Sequence, residues 1–174
     1  MKLLPIGFFA ALLATVTVWD GTAFGQDTWR RVTAKDGSFT VEMPGEPAYF
    51  ATDVKTDNGV FAAHRYIAQV DGTDYVVQST IVPSNVDLSD TRKVLQSASD
   101  GIAKQMRGGT WENVRWTIYQ GLPASDAIGV KNDGTAMRVF SVIKRRTQFN
   151  LLYARKGAAA AADANRFISS FLAK

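Results

Sequence analysis

The chain has 174 residues, 46% of them hydrophobic and 21% charged, with 14 glycines, five prolines, one histidine and no cysteine. This balance excludes collagen-like, low-complexity and largely disordered chains. The missing cysteine excludes disulfides, thiolate zinc sites, iron–sulfur clusters, a cysteine nucleophile and a lipid anchor on an N-terminal cysteine.

Lys2 precedes an uncharged, mostly apolar stretch from Gly7 to Trp19, followed by Asp20-Gly21-Thr22 and Ala23-Phe24-Gly25. Small residues at the two positions before Gln26 that a signal peptidase reads predict a secretory signal over residues 1–25, cleaved after Gly25. The expected product is a periplasmic or secreted single domain over 26–174. As a helix, about 14 apolar residues span roughly 21 Å, short of the ~30 Å hydrocarbon core, so no stable membrane insertion is expected after cleavage. A domain of this length folds without staples.

Next come strands. Phe39, Val41 and Met43 alternate with Ser38, Thr40 and Glu42, a period-2 strand stopped by Pro44. Tyr49 to Thr56 and Val60 to Val70 flank Asn58-Gly59 as a hairpin. Tyr75, Val77 and Ile81 alternate with Asp74, Gln78 and Thr80 in a strand ending at Pro83. The period then changes: Val94, Leu95, Ala98, Ile102 and Met106 recur at helical spacing between Ser89 and Arg107, with Asp87 or Ser89 as cap and Gly108 past the end.

Strands resume over Thr110 to Gln120, with Val114, Trp116 and Ile118 on one face, and Gly121-Leu122-Pro123 as a break. Ala124 to Lys131 and Thr135 to Lys144 pair around Asn132-Asp133-Gly134, and Gln148 to Arg155 is the last strand. Apolar residues on both faces of Thr135–Lys144 predict a central strand covered on two sides. Ala158 to Leu172 closes the chain as a helix, with Ala160, Ala164, Phe167 and Phe171 as its stripe. The order strands–helix–strands–helix predicts an α+β domain, an antiparallel sheet flanked by helices.

Three segments carry a resemblance: Phe39-Thr40-Val41-Glu42-Met43-Pro44-Gly45-Glu46-Pro47, the Gly121-Leu122-Pro123 turn, and Arg166-Phe167-Ile168-Ser169-Ser170-Phe171. Together they resemble small exported bacterial proteins of unknown function related to the PsbP-like fold, which an extrinsic photosystem II subunit shares with a Ran-binding nuclear import factor. The resemblance spans most of residues 29–172. It implies an antiparallel sheet sandwiched by helices and a non-enzymatic accessory or binding role. Its motifs are structural, and no functional residue transfers with them.

Charge is unevenly spread: residues 26–90 carry −5, 91–130 carry +2, and 131–174 carry +7, densest at Lys144, Arg145 and Arg146. Such a triplet is either a solvated strand end or a surface for an anionic envelope component or protein. Nucleic acid is not an expected partner, because no recognition motif is present. If Trp116 faces the core, Trp111, Arg115 and Tyr119 share the opposite face as a recognition surface, unless the closing helix covers it.

His64, the only histidine, could be a general base but not a histidine-rich metal site. The close pairs Asp53/Asp57, Asp71/Asp74 and Asp87/Asp90 fall at turns, where aspartate serves the backbone. No cofactor or metal is expected. The sequence therefore predicts an exported, monomeric, non-enzymatic binding or accessory protein. A hydrolase using His64 or paired carboxylates, and a carrier of a small apolar ligand held between helix and sheet, are the alternatives.

Overall fold

A computed structural model describes residues 29–56, 59–105, 110–157 and 161–174; the segment expected to be a signal peptide, residues 1–25, lies outside them. Five strands come first: β1 (Trp29–Thr33), β2 (Phe39–Pro44), β3 (Ala48–Thr56), β4 (Gly59–Val70) and β5 (Thr73–Ile81). Helix α1 (Thr91–Gln105) follows, then β6 (Thr110–Tyr119), β7 (Leu122–Val130), β8 (Thr135–Lys144) and β9 (Thr147–Lys156). Helix α2 (Ala161–Ser169) and a two-residue strand, β10 (Leu172–Ala173), complete the chain.

Strands dominate. Seven form one antiparallel sheet in the order β3-β4-β5-β9-β8-β7-β6, and three form a small sheet in the order β1-β2-β10. The predicted hairpins are present, and so is the central place of β8. Four features depart from the sequence reading. β1 pairs with β2 from Trp29↔Pro44 to Thr33↔Thr40, where no strand was expected. Leu122 and Pro123 already belong to β7, because the reversal is made one step earlier, at Gln120 and Gly121, both at positive φ (51° and 76°). A proline at the start of a strand costs no ladder bond that a turn has not already given up.

Helix α1 starts at Thr91, and Asp90, not Asp87 or Ser89, caps it: the Lys93 amide donates to Asp90 Oδ1 at 3.0 Å. Asp87 instead takes the Ser89 amide and hydroxyl, both at 2.8 Å. The closing helix is shorter than expected, because the chain leaves it after Ser169. The Ser170 hydroxyl donates to Phe167 O and accepts the Glu42 amide, both at 2.8 Å, which turns the chain back along β2. Leu172 and Ala173 then pair with Thr40 and Phe39.

The large sheet is covered on both faces by different material. One face meets the small sheet and α2 around Phe39, Val41, Met43, Tyr75, Phe140, Phe149, Tyr153, Phe167 and Phe171, all nearly or fully buried. The other face meets α1. Val94 and Leu95 pack with Ile143 and Trp116, and Ile102 packs with Val139, Leu152 and Trp111. Among the described residues no helix is long and apolar enough to cross a membrane.

Candidate functional site beneath helix α1

Because side chains alternate across a strand, strand registers assign each residue to a face. One transverse row on the α1 face crosses all seven strands: Phe50↔Arg65, Arg65↔Gln78, Gln78↔Asn150, Asn150↔Ser141, Ser141↔Ser125 and Ser125↔Trp116. Thr80 and Gln148 oppose each other in the neighbouring row. The row on the other side, Ile67, Val76, Leu152, Val139, Ala127 and Val114, is apolar. Polar side chains thus occupy the middle of a covered sheet face. Gln78, Thr80, Ser125, Ser141, Gln148 and Asn150 are all buried, Gln148 completely.

Burial of polar groups is tolerated where hydrogen bonds replace water. Arg65 Nε donates to Gln78 Oε1 at 3.0 Å, and Gln78 Nε2 donates to Thr80 Oγ1 at 3.3 Å. Asn150 Oδ1 accepts from the Ser141 hydroxyl at 2.7 Å and from Gln148 Nε2 at 3.1 Å. Among the described residues three buried side-chain oxygens remain without a partner: Ser99 Oγ, Ser125 Oγ and Gln148 Oε1. Ser99 lies on α1 between Leu95, which packs on Ile143, and Ile102, which packs on Val139. Ser141 lies between Ile143 and Val139 on the same face of β8, so Ser99 falls over the Ser125–Ser141 part of the row. On the opposite side of the helix, Ser97 returns its hydroxyl to Lys93 O at 3.1 Å. Ser99 has no such bond. The one partner its residue offers is backbone: Trp111 Nε1 donates to Ser99 O at 3.0 Å.

The residues expected to form a recognition surface are separated. A register shift between Trp111 and Asn113 puts Trp111 opposite Gly129, on the α1 face. Tyr119 lies on the other face, half-buried against Phe140 and Phe171; its hydroxyl donates to Phe171 O at 2.8 Å and accepts the Ala173 amide at 3.2 Å. Arg115 shares that face but bonds Asp126 at 3.1 Å. Asp126 also takes two bonds from Arg138, each 2.8 Å, and Arg138 reaches Asn165 of α2. Burial alone would raise the Asp126 carboxyl, but the Arg138 and then Arg115 bonds and charges hold it below its ordinary value.

The basic triplet is also divided. Lys144 Nζ donates to Ala173 O at 2.8 Å. Arg146 binds the carbonyls of Val82, Pro83 and Val86, fixing the segment between β5 and α1. Arg145, at φ 57° in the β8–β9 turn, is exposed and alone of the three makes no bond to a described residue.

His64 lies on the small-sheet face of β4, half-buried. Its Nδ1 is 2.8 Å from Tyr49 Oη, the two rings are stacked, and Lys35 Nζ sits 3.8 Å above the Tyr49 ring. Burial alone would raise the nearby Asp36 carboxyl, but hydrogen bonds from Ser38, and then the charge of His64, hold it below its ordinary value. Of the paired carboxylates, Asp74 takes Gln69 Nε2 at 2.6 Å, and Asp87 and Asp90 serve local turns and the helix cap. Asp57 lies outside the described residues. Among the described residues no three of His, Asp and Glu come together to hold a metal ion.

The buried polar row was missed by the sequence reading, which noted only that Gln78 and Thr80 alternate with Tyr75, Val77 and Ile81. A signal was present: a β8 covered on both faces requires that its neighbours be covered as well.

No family model matches the chain, and no curated protein matches it in sequence. Solved structures match it in architecture. A cyanobacterial PsbP from Synechocystis sp. PCC 6803, solved in solution, superposes with a TM-score of 0.53 at 13% identity, over 91% of this chain and 99% of that one. A crystal structure of a Bacteroides thetaiotaomicron protein gives 0.50 at 7% identity, over 83% of this chain and 48% of the other, so this chain spans about half of that protein's length. A Pseudomonas aeruginosa protein of unknown function gives 0.43 at 9% identity, over 79% and 88%. The fold is PsbP-like.

Proposed function

We propose that the protein is an exported, non-enzymatic α+β binding domain that holds a small ligand between α1 and the seven-stranded sheet. The observation that carries this reading is the buried row of amides and hydroxyls with three unpartnered oxygens. Each such oxygen costs about 1–3 kcal/mol, and a ligand that bonds to it offsets that cost. The polar floor changes the cargo from the small apolar ligand expected of a helix–sheet carrier to a polar one. Export rests on the pattern in residues 1–25. Fold alone does not assign a ligand.

The test is native mass spectrometry of the protein purified from its own cells without denaturation. A discrete noncovalent adduct on the wild type that is absent from a folded Gln148→Leu variant supports the site. A bare wild-type mass, or an adduct that survives the substitution, ends it.

A second reading, hydrolysis assisted by His64, is favoured by the bond between Tyr49 Oη and His64 Nδ1, a geometry that can orient an imidazole base. Its test is turnover of p-nitrophenyl esters by wild type and His64→Gln. Equal rates, or none, end that reading.

A further inference from the structure

We propose that one end of the seven-stranded sheet, where β5 and β6 finish and β8 turns into β9, is a docking surface for a bilayer of anionic phospholipid. The proposal does not depend on the ligand site beneath α1.

Among the described residues six large apolar side chains are exposed, and four of them gather at this end: Val60 (59%), Ile81 (59%), Ile118 (69%) and Leu172 (46%). The strands are antiparallel, so their registers fix the placement. Ile81, the last residue of β5, pairs with Thr147, which pairs with Lys144 at the β8–β9 turn. Ile118 is one residue from the end of β6, and Val60 is one residue from the start of β4. Leu172 is held at the same end through its neighbour Ala173, whose carbonyl takes Lys144 Nζ and whose amide reaches Tyr119 Oη. From Ile81 to Ile118 the sheet spans four strand spacings, about 19 Å. The other two exposed side chains, Phe50 and Ile128, stand apart on β3 and β7.

Cations stand among these side chains. Arg145 occupies the β8–β9 turn, between the strands that carry Ile81 and Ile118. Arg92 lies over the Trp116 ring, 5.1 Å from its centre, on the face of β6 that Ile118 shares. Lys93 follows it in the first turn of α1. Arg92, Lys93 and Arg145 are exposed, and among the described residues none of them is in an ion pair. The segments that build this end, 81–93, 117–121 and 144–147, hold five Lys and Arg side chains against two carboxylates. Those two, Asp87 and Asp90, already accept backbone amides.

This chemistry selects the occupant. A protein interface draws its energy from a contiguous, desolvated centre rich in aromatic side chains. Here the apolar side chains are aliphatic, come from four strands and alternate with cations. A headgroup layer accepts such side chains singly: each aliphatic tip passes between headgroups while the cation beside it stays level with the phosphates. Anionic lipid supplies negative charge along the whole line, so each cation meets a counter-charge without a matched partner geometry.

The experiment is co-sedimentation with vesicles of phosphatidylglycerol and phosphatidylethanolamine, and with vesicles of phosphatidylcholine alone. The protein is used as its own cells process it, in one form for every variant, so that any contribution of residues 1–25 is common to all. Circular dichroism checks that each variant is folded. Wild type is expected to bind the anionic vesicles at least about tenfold more tightly than the neutral ones, and to release them as salt is raised. Arg92→Gln and Arg145→Gln should each weaken binding about fivefold. Ile81→Ser combined with Ile118→Ser should weaken it at least about tenfold. Lys131→Gln, in the turn at the opposite end of the sheet, and Ile128→Ser should bind as wild type does. Failure of wild type to bind anionic vesicles at low salt overturns the proposal, as does binding indifferent to the isoleucine pair or to both arginines. Equal weakening by Lys131→Gln and Arg145→Gln overturns it in favour of net charge. A wild-type dimer in analytical ultracentrifugation that the isoleucine pair dissociates, with no vesicle binding, overturns it in favour of a second copy of this chain.

Discussion

The Ser141 hydroxyl donates to Asn150 Oδ1 at 2.7 Å between two central strands, β8 and β9, with both residues buried. The bond sits in a sheet layer where an apolar pair would serve packing better. It belongs to a network that is satisfied at one end and open at the other.

Ser99→Ala and Ser125→Ala are expected to stabilise the ligand-free protein, by about 1 kcal/mol each, because each removes a buried oxygen that has no partner. Urea unfolding of ligand-stripped protein measures this. A loss of stability in both variants would show that the hydroxyls are already satisfied.

The basic triplet should split by role. Arg146→Ala removes the donor that holds three carbonyls before α1 and should cost about 2 kcal/mol. Arg145→Ala, on an exposed turn, should stay within about 0.5 kcal/mol of wild type. Chemical denaturation of the two variants separates structural from surface cations. Any binding of an anionic partner through this turn would then have to respond to Arg145→Ala alone.

Asp126→Asn is expected to cost about 3 kcal/mol at pH 7, since it leaves Arg138 half of its buried partner. The folded carboxyl titrates below its ordinary value near 3.8. Its contribution is therefore complete above the unfolded pKa and is lost as pH falls through the folded one. Wild-type stability should drop more steeply than that of the variant between about pH 5 and pH 2, measured by urea midpoints across that range.

Tyr119→Phe should loosen the C-terminal strand without unfolding the domain. It deletes the bond to Phe171 O and the acceptor for the Ala173 amide, while keeping the ring against Phe140 and Phe171. Hydrogen exchange at Ala173 and Lys174 should accelerate while β5 and β9 amides keep their protection.

Strands β2 to β9, the hairpins and the two helices were legible because alternation, Asp-Gly turns and a 3.6-residue period are local signals, whereas β1 and β10 were not. Trp111 was misplaced because the shift at Glu112 inserts one residue, and a single residue exchanges faces for everything before it. Lys144 and Arg146 read as solvated cations or as contacts for an anionic partner because their partners are backbone carbonyls, which no side-chain pattern announces. Gln78, Gln148 and Asn150 were given no role because the sequence shows alternation but not what lies above each face. Their burial comes from the tertiary arrangement, in which Gln78 and Asn150 share a row with Ser125 and Ser141, and Gln148 lies in the neighbouring row opposite Thr80.

The ligand site is tested most directly by a high-resolution crystal structure of the protein isolated from its own cells. The account predicts continuous density for an organic molecule between α1 and the sheet, within hydrogen-bond distance of Gln148 Oε1. Separate waters on Ser99, Ser125 and Gln148, or α1 packed tightly enough to leave no room, would contradict it.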